Sequence, residues 1–193
     1  MSGRDGQGSP TQVLALCGSL RAASINAALL RAAARIAPEG VPVTPFAAMH
    51  DLPLFNPDLE ASPPPAVQAL RAAIAGADAL LIASPEYAHG VSGSLKNALD
   101  WLVSFEPFVG KPVAVINASP RARHAHEALL ETLTTMSARL VREGCIALPL
   151  LGAGLDEAGM AANPQVAGAL RAVLQCLAAA ACDSPGAASF PVG

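Results

Sequence analysis

The sequence predicts a doubly wound α/β sandwich, with a five-stranded parallel sheet in the order 2-1-3-4-5 and helices on both faces. Three observations carry this. Short apolar runs without polar alternation recur along the chain, as strands covered on both faces require. Longer segments with apolar spacing of three and four separate them, supplying the crossovers that parallel strands need. Clusters of Gly, Pro, Ser and Asn mark the joins.

The elements follow in order. "QVLALC" (12–17) reads as a buried strand closed by Gly18. "SINAALLRAAARIA" is a helix with Ser24 as N-cap and Pro38-Glu39-Gly40 as its stop. "VPVTPF" is a weaker strand whose prolines place it at an end or edge, and 49–65 is a proline-rich loop. "AVQALRAAIAGA" is a helix, "DALLIAS" a buried strand and "PEYAHGVSG" a loop. "SLKNALDWLVSF" is a helix capped by Ser94 or Gly93, and "KPVAVINAS" a further buried strand. "ARHAHEALLETLTTMSARLVRE" is expected to stay helical to near Gly144, and "CIALPLL" to form the fifth strand. "PQVAGALRAVLQCLAAAAC" closes the domain as a helix with Pro164 in its first turn.

The 193 residues fit one domain. We expect it to span 11–182, with a disordered tail at 1–10 and a flexible one at 183–193. Hydrophobic residues make up 52% and aromatics only 4%, so the core must rest on Ala, Leu and Val. A net charge of −3 with scattered basic residues argues against broad attraction to nucleic acid or an anionic membrane. Any anion site must therefore be local. The longest Ala/Leu-rich stretches are interrupted by Arg, Gln or Asp, so no membrane span is expected. Cys17, Cys145, Cys176 and Cys182 have neither disulfide-framework nor metal spacing, and no apolar leader opens the chain. A cytoplasmic protein with reduced thiols and no bound metal is the expectation.

Doubly wound sheets bind ligands beyond the carboxyl ends of their strands. Three loops fall there: 18–24, 84–93 and 118–124. The first, "GSLRAAS", joins a strand to a helix N-terminus, where free N–H groups and the helix dipole favour an anion. Gly18 allows close approach, and Ser19 and Ser24 offer hydroxyls. Arg21 offers a planar charged fork, and Asn26 an amide. Neither GxxxxGK[ST] nor GxGxxG is present, and a cradle of serines and arginine suits a terminal monophosphate. The second loop begins Ser84-Pro85-Glu86-Tyr87. Pro85 stiffens the turn and leaves the backbone N–H groups of Glu86 and Tyr87 to donate. Tyr87 presents an aromatic face, as sites for planar heterocycles do.

Together "GSLRAASIN" and "PEYAHGVSGSLKNALDW" resemble the NAD(P)H-dependent FMN reductases of the flavodoxin-like fold, which include chromate, quinone and azo-dye reductases. The resemblance runs from about Gln12 to Cys182. It implies FMN, with its phosphate at Ser19, Arg21, Ser24 and Asn26, and ribityl and ring contacts from Pro85, Glu86 and Tyr87. Ser119, with Pro120 and Arg121 behind it, stands where the family has a serine-led turn near the ring. No side chain is required as an acid or base. The implied reaction passes hydride from NADPH or NADH to FMN, then electrons to a small acceptor: a quinone, flavin, azo compound or metal oxyanion. A homodimer or homotetramer is implied as well. The chain departs from the family pattern at Ala88, at Ser92 and at Arg123-His124, where the family tends to Asn, Pro and a glycine pair. The alternative is an FMN-binding electron carrier that uses no pyridine nucleotide. His89, His124 and His126 read as loop or surface residues, Lys96–Asp100 as an i,i+4 ion pair, and Trp101 as core or subunit interface.

Overall fold

The computed structural model describes residues 9–119 and 121–183. Residues 1–8 and 184–193 of the two expected tails, and Pro120, lie outside the described residues. The chain runs β1 (Val13–Cys17), α1 (Ile25–Arg35), β2 (Val43–Pro45), α2 (Pro65–Gly76), β3 (Ala79–Ala83), β4 (Glu86–Tyr87), β5 (Gly90–Val91), α3 (Gly93–Asp100), β6 (Pro112–Asn117), α4 (Arg123–Thr135), β7 (Arg139–Leu140), β8 (Ile146–Ala147), α5 (Glu157–Ala162) and α6 (Pro164–Cys182).

The central sheet is parallel, in the order β2-β1-β3-β6-β7, with β8 also on β6. Side chains leave a strand alternately to either face, and the two cores follow that parity. Val13, Ala15, Leu81, Ala83, Ala114 and Ile116 face α1 and α6, packing on Leu29, Leu30, Val173 and Leu174. Leu14, Leu16, Leu80, Ile82, Val113 and Val115 face α2, α3 and α4, packing on Leu70, Ile74, Leu95, Leu99 and Leu129. The strands are apolar throughout because both faces are covered. Proline-flanked β2 takes an edge, as expected.

The last sheet position differs from the expected 2-1-3-4-5 order. The expected strand over 145–151 shrinks to β8, and β7, from outside that range, shares with it the edge of β6 opposite β3. The helix expected to reach Gly144 ends at Thr135. Thr132 and Thr134 turn their hydroxyls back onto the carbonyls of Ala128 and Leu130, both at 2.8 Å, a pattern that weakens helices. Ser137 then adopts φ +61° and reverses the chain into β7. Downstream, the Leu148 N–H reaches the Asn117 carbonyl at 2.8 Å, and Pro149 has no N–H to continue a ladder.

Two helix boundaries also moved. The N-cap of α3 is Ser92, not Ser94 or Gly93, and its hydroxyl accepts the Leu95 N–H at 3.4 Å. The helix stops at Asp100 because Arg71 takes the Trp101 carbonyl, at 3.2 and 3.0 Å. Trp101 itself is fully buried and donates its indole N–H to Pro53 at 2.9 Å. The Lys96–Asp100 pair forms at 2.5 Å. Contrary to the expectation of no spanning segment, α6 is long and apolar enough to cross a membrane by length and composition, with mean hydropathy 1.4 over its best window. Here Leu170, Val173, Leu174 and Leu177 of α6 pack in the sheet's core.

Candidate functional site

The carboxyl ends of β1, β3 and β6 open into a cleft of about 410 Å³. All eight residues expected from the sequence line it: Ser19, Arg21, Ser24, Asn26, Pro85, Glu86, Tyr87 and Ser119. Arg121 joins them.

The first loop is set by Gly18. Its N–H reaches the Ala83 carbonyl at 2.9 Å. A Cβ on it would lie 2.3 Å from the Ser84 hydroxyl and 2.8 Å from that of Ser92, so only glycine fits. Ser94 donates to the Gly18 carbonyl at 2.9 Å, and the Ser84 and Ser92 hydroxyls meet at 3.2 Å. These serines bind the first loop to the second. Ser24 caps α1 by accepting the Ala27 N–H at 3.2 Å. Ser19 accepts the Arg21 N–H at 3.4 Å, while the Arg21 side chain is exposed and forms no ion pair among the described residues. Asn26 is only 5% exposed, and its amide oxygen is buried with no hydrogen-bond partner. Such a group is costly unless something binds it. Burial pushes the Cys17 thiol upward in pKa, against smaller opposing hydrogen bonds with the Ser19 backbone and the Ser24 side chain.

The second loop is not irregular. Glu86 pairs with Val91 and Tyr87 with Gly90 in a two-stranded antiparallel ladder, where adjacent pairs alternate between bonded and unbonded, so only one of the two backbone N–H groups is taken up and the other stays free to donate. Ala88 and His89 occupy its tip at φ +48° and +61°. Tyr87 is 59% exposed and lines the cleft. The Glu86 carboxylate accepts the Ala125 N–H at 2.9 Å. His89 stacks on His124 of α4, with ring centroids 4.3 Å apart.

Sequence reasoning missed Asn117 and Leu151, which also line the cleft. Asn117 is 7% exposed; its amide oxygen accepts the Ser119 N–H and its nitrogen donates to the Ala122 carbonyl, both at 2.9 Å. It thereby shapes the third loop. A polar residue closing the apolar run "VAVIN" was the available signal. Asn97 was missed too; it holds residues 53–55 by bonds of 2.9 Å to the Pro53 carbonyl and 2.8 Å from the Phe55 N–H. Among the described residues no group of three or more His, Cys, Asp or Glu could hold a metal.

Comparison with known proteins gives a consistent picture. The family model for NADPH-dependent FMN reductase matches residues 11–150. An NAD(P)H-dependent FMN reductase of Pseudomonas aeruginosa is 44% identical over 111 residues, covering 56% of this chain and 60% of that protein. An NADPH:quinone oxidoreductase of Arabidopsis thaliana is 47% identical over 112 residues, covering 55% and 57%. A quinone reductase of Escherichia coli is 39% identical over 112 residues, covering 56% and 60%. The chain thus spans about 60% or less of the curated relatives it matches. A solved flavoenzyme NAD(P)H:(acceptor) oxidoreductase from Paracoccus denitrificans superposes with TM-score 0.73 and 26% identity, over 88% of this chain and 98% of that one.

Proposed function

Because the chain belongs to the NADPH-dependent FMN reductase family, we propose that residues 11–182 form one FMN-binding domain that oxidises NADPH or NADH and reduces a quinone. The observation that carries this is the convergence of both motifs, "GSLRAASIN" and "PEY", on one cleft at the carboxyl ends of the central strands. The residues fit FMN. Gly18 leaves room for backbone approach, and Asn26 lines the cleft with its amide, whose nitrogen can donate to a phosphate oxygen. Arg21 supplies a charge engaged by no carboxylate among the described residues.

When bound, FMN supplies the redox chemistry, taking hydride from the nicotinamide and passing electrons to the acceptor. The chain's own residues bind and orient. Ser19, Arg21, Ser24 and Asn26 would hold the phosphate; charge-assisted bonds of this kind contribute roughly 1.5–3 kcal/mol each. Pro85, Glu86 and Tyr87 would border the ribityl chain and ring, with Ser119 opposite. Glu86 acts through backbone and position, since its carboxylate already serves α4. No side chain is needed as acid or base. Free flavin, azo compounds and metal oxyanions such as chromate belong to the same reading as further acceptors. So do a homodimer or homotetramer and a cytoplasmic location, which the four free cysteines suit.

The test is the visible spectrum of the purified protein, followed by steady-state oxidation of NADPH and NADH with a quinone. Flavin absorption and acceptor-dependent turnover are expected. A colourless protein that leaves the fluorescence of added FMN unquenched would overturn FMN binding. Flavin without pyridine-nucleotide oxidation would make the protein an electron carrier instead.

A further inference from the structure

A second, larger cavity of about 660 Å³ adjoins the cleft. The two share one wall, Ala23-Ser24-Ile25, and the next residue on the far side is also split between them: Leu151 lines the cleft and Leu150 the second cavity. The shared wall lies in the loop read above as the phosphate cradle. A group reaching the second cavity from the first would therefore be attached through the phosphate, not through the ring.

The chemistry of the groove selects among such groups. Arg31 and Arg35 of α1 face Asp156 and Glu157 across it. Arg31 is held by Glu157 at 2.7 Å, and Asp156 accepts the Gly159 N–H at 2.7 Å. Arg35 is exposed and has no ion-pair partner among the described residues. Two positive and two negative side chains leave the groove balanced overall, so Arg35, held by no carboxylate among the described residues, is the charge left to meet a dinucleotide's second phosphate or its base. A ribose diol suits carboxylate acceptors, and a guanidinium plane can stack on a purine. Ala28, Leu150 and Leu155 give apolar contact. Small residues, Ala22 and Ala23, stand where the ligand would pass from cleft to groove.

We propose that this groove is a subsite for the adenosine half of a flavin dinucleotide, so that the protein accepts FAD as well as FMN. The inference rests on the phosphate-cradle reading of loop 18–26. One phosphate would keep the cradle position, and the second would pass over Ala22-Ala23. Volumes of about 300–1,000 Å³ are usual for small-molecule sites, and both cavities fall within that range.

The test is calorimetric titration of the flavin-free protein with FMN and FAD, for wild type, Ala158→Trp and Arg35→Ala. Ala158 is exposed and lines the groove away from the cradle. FAD should bind wild type at least as tightly as FMN. Ala158→Trp should weaken FAD by about tenfold or more, with FMN unchanged within about twofold. Arg35→Ala should weaken FAD alone, by about threefold to tenfold. Wild-type FAD binding about tenfold weaker than FMN would overturn the subsite and leave the FMN reading standing. Equal loss of both ligands in both variants would also overturn it. Failure of both flavins to bind wild type would overturn the cradle reading and the subsite with it. Binding of 2′,5′-ADP to the FMN-loaded protein, lost in Ala158→Trp, would assign the groove to the pyridine nucleotide and overturn the proposal.

Discussion

The carboxylate of Glu86 accepts the backbone N–H of Ala125 at 2.9 Å, linking the hairpin beside the cleft to the first turn of α4. That helix has Ala122 at its N-cap and no side-chain cap of its own. Glu86 performs the capping from another element, 39 residues away in sequence.

Glu86→Ala should therefore destabilise the protein by about 1–2 kcal/mol, as losing an N-cap does. Glu86→Gln keeps an acceptor but not the charge, and should lose less. Urea denaturation of the three proteins checks this. Equal midpoints for wild type and Glu86→Ala would remove the capping role.

Arg21 is the sharpest probe of the cradle. Arg21→Ala should weaken FMN binding by about 10- to 100-fold, since 1.4 kcal/mol is about tenfold. Riboflavin, which lacks the phosphate, should bind almost unchanged. Arg21→Lys should recover part of the loss, because a point charge cannot reproduce the planar fork. Parallel titrations with both ligands decide it; equal losses would show that Arg21 supports the fold or ring instead.

Ala88 sits at φ +48° beside His89 at +61°, a tip geometry that favours Asn and Gly. Left-handed backbone costs an ordinary residue about 1 kcal/mol. Ala88→Asn should recover roughly 0.5–1 kcal/mol of stability and leave FMN affinity unchanged. Thermal melts with and without FMN are the measurement. A lower melting temperature in Ala88→Asn would contradict the assignment of strain.

His126 lies in a small cavity with Ser84, Asn117 and Leu129. Burial lowers its pKa from 6.5, against the opposing pull of Glu127. Below pH 6.5 the unfolded chain thus takes up the proton first, so stability falls as pH drops from 6.5 through the folded-state pKa. His126→Gln should flatten that part of the profile. Urea midpoints at pH 7.5 and 5.5 should fall further apart in wild type than in the variant. Parallel shifts would show that His126 does not carry the acid sensitivity.

The sequence by itself determined the layered fold and the members of the cleft. Five apolar runs with helical crossovers admit few other arrangements, and parity along "VLALC" and "ALLIA" already divides the two cores. The loop before α1 was legible as part of the cleft because Gly18 and Ser24 mark a tight turn into a capped helix N-terminus, the local geometry on which the phosphate proposal rests. Only the tertiary structure decided the rest, because those features depend on partners distant in the chain. Ser92 rather than Ser94 caps α3 because Ser94 is drawn to the Gly18 carbonyl, 76 residues back. The break after Asp100 follows from Arg71, and the path of the chain beyond β8 from the carbonyls of Asn117 and Ala118, which take the N–H groups of Leu148, Leu150 and Leu151. Local periodicity registers which residues want burial; it carries no record of which distant hydrogen-bond partner will claim a backbone group.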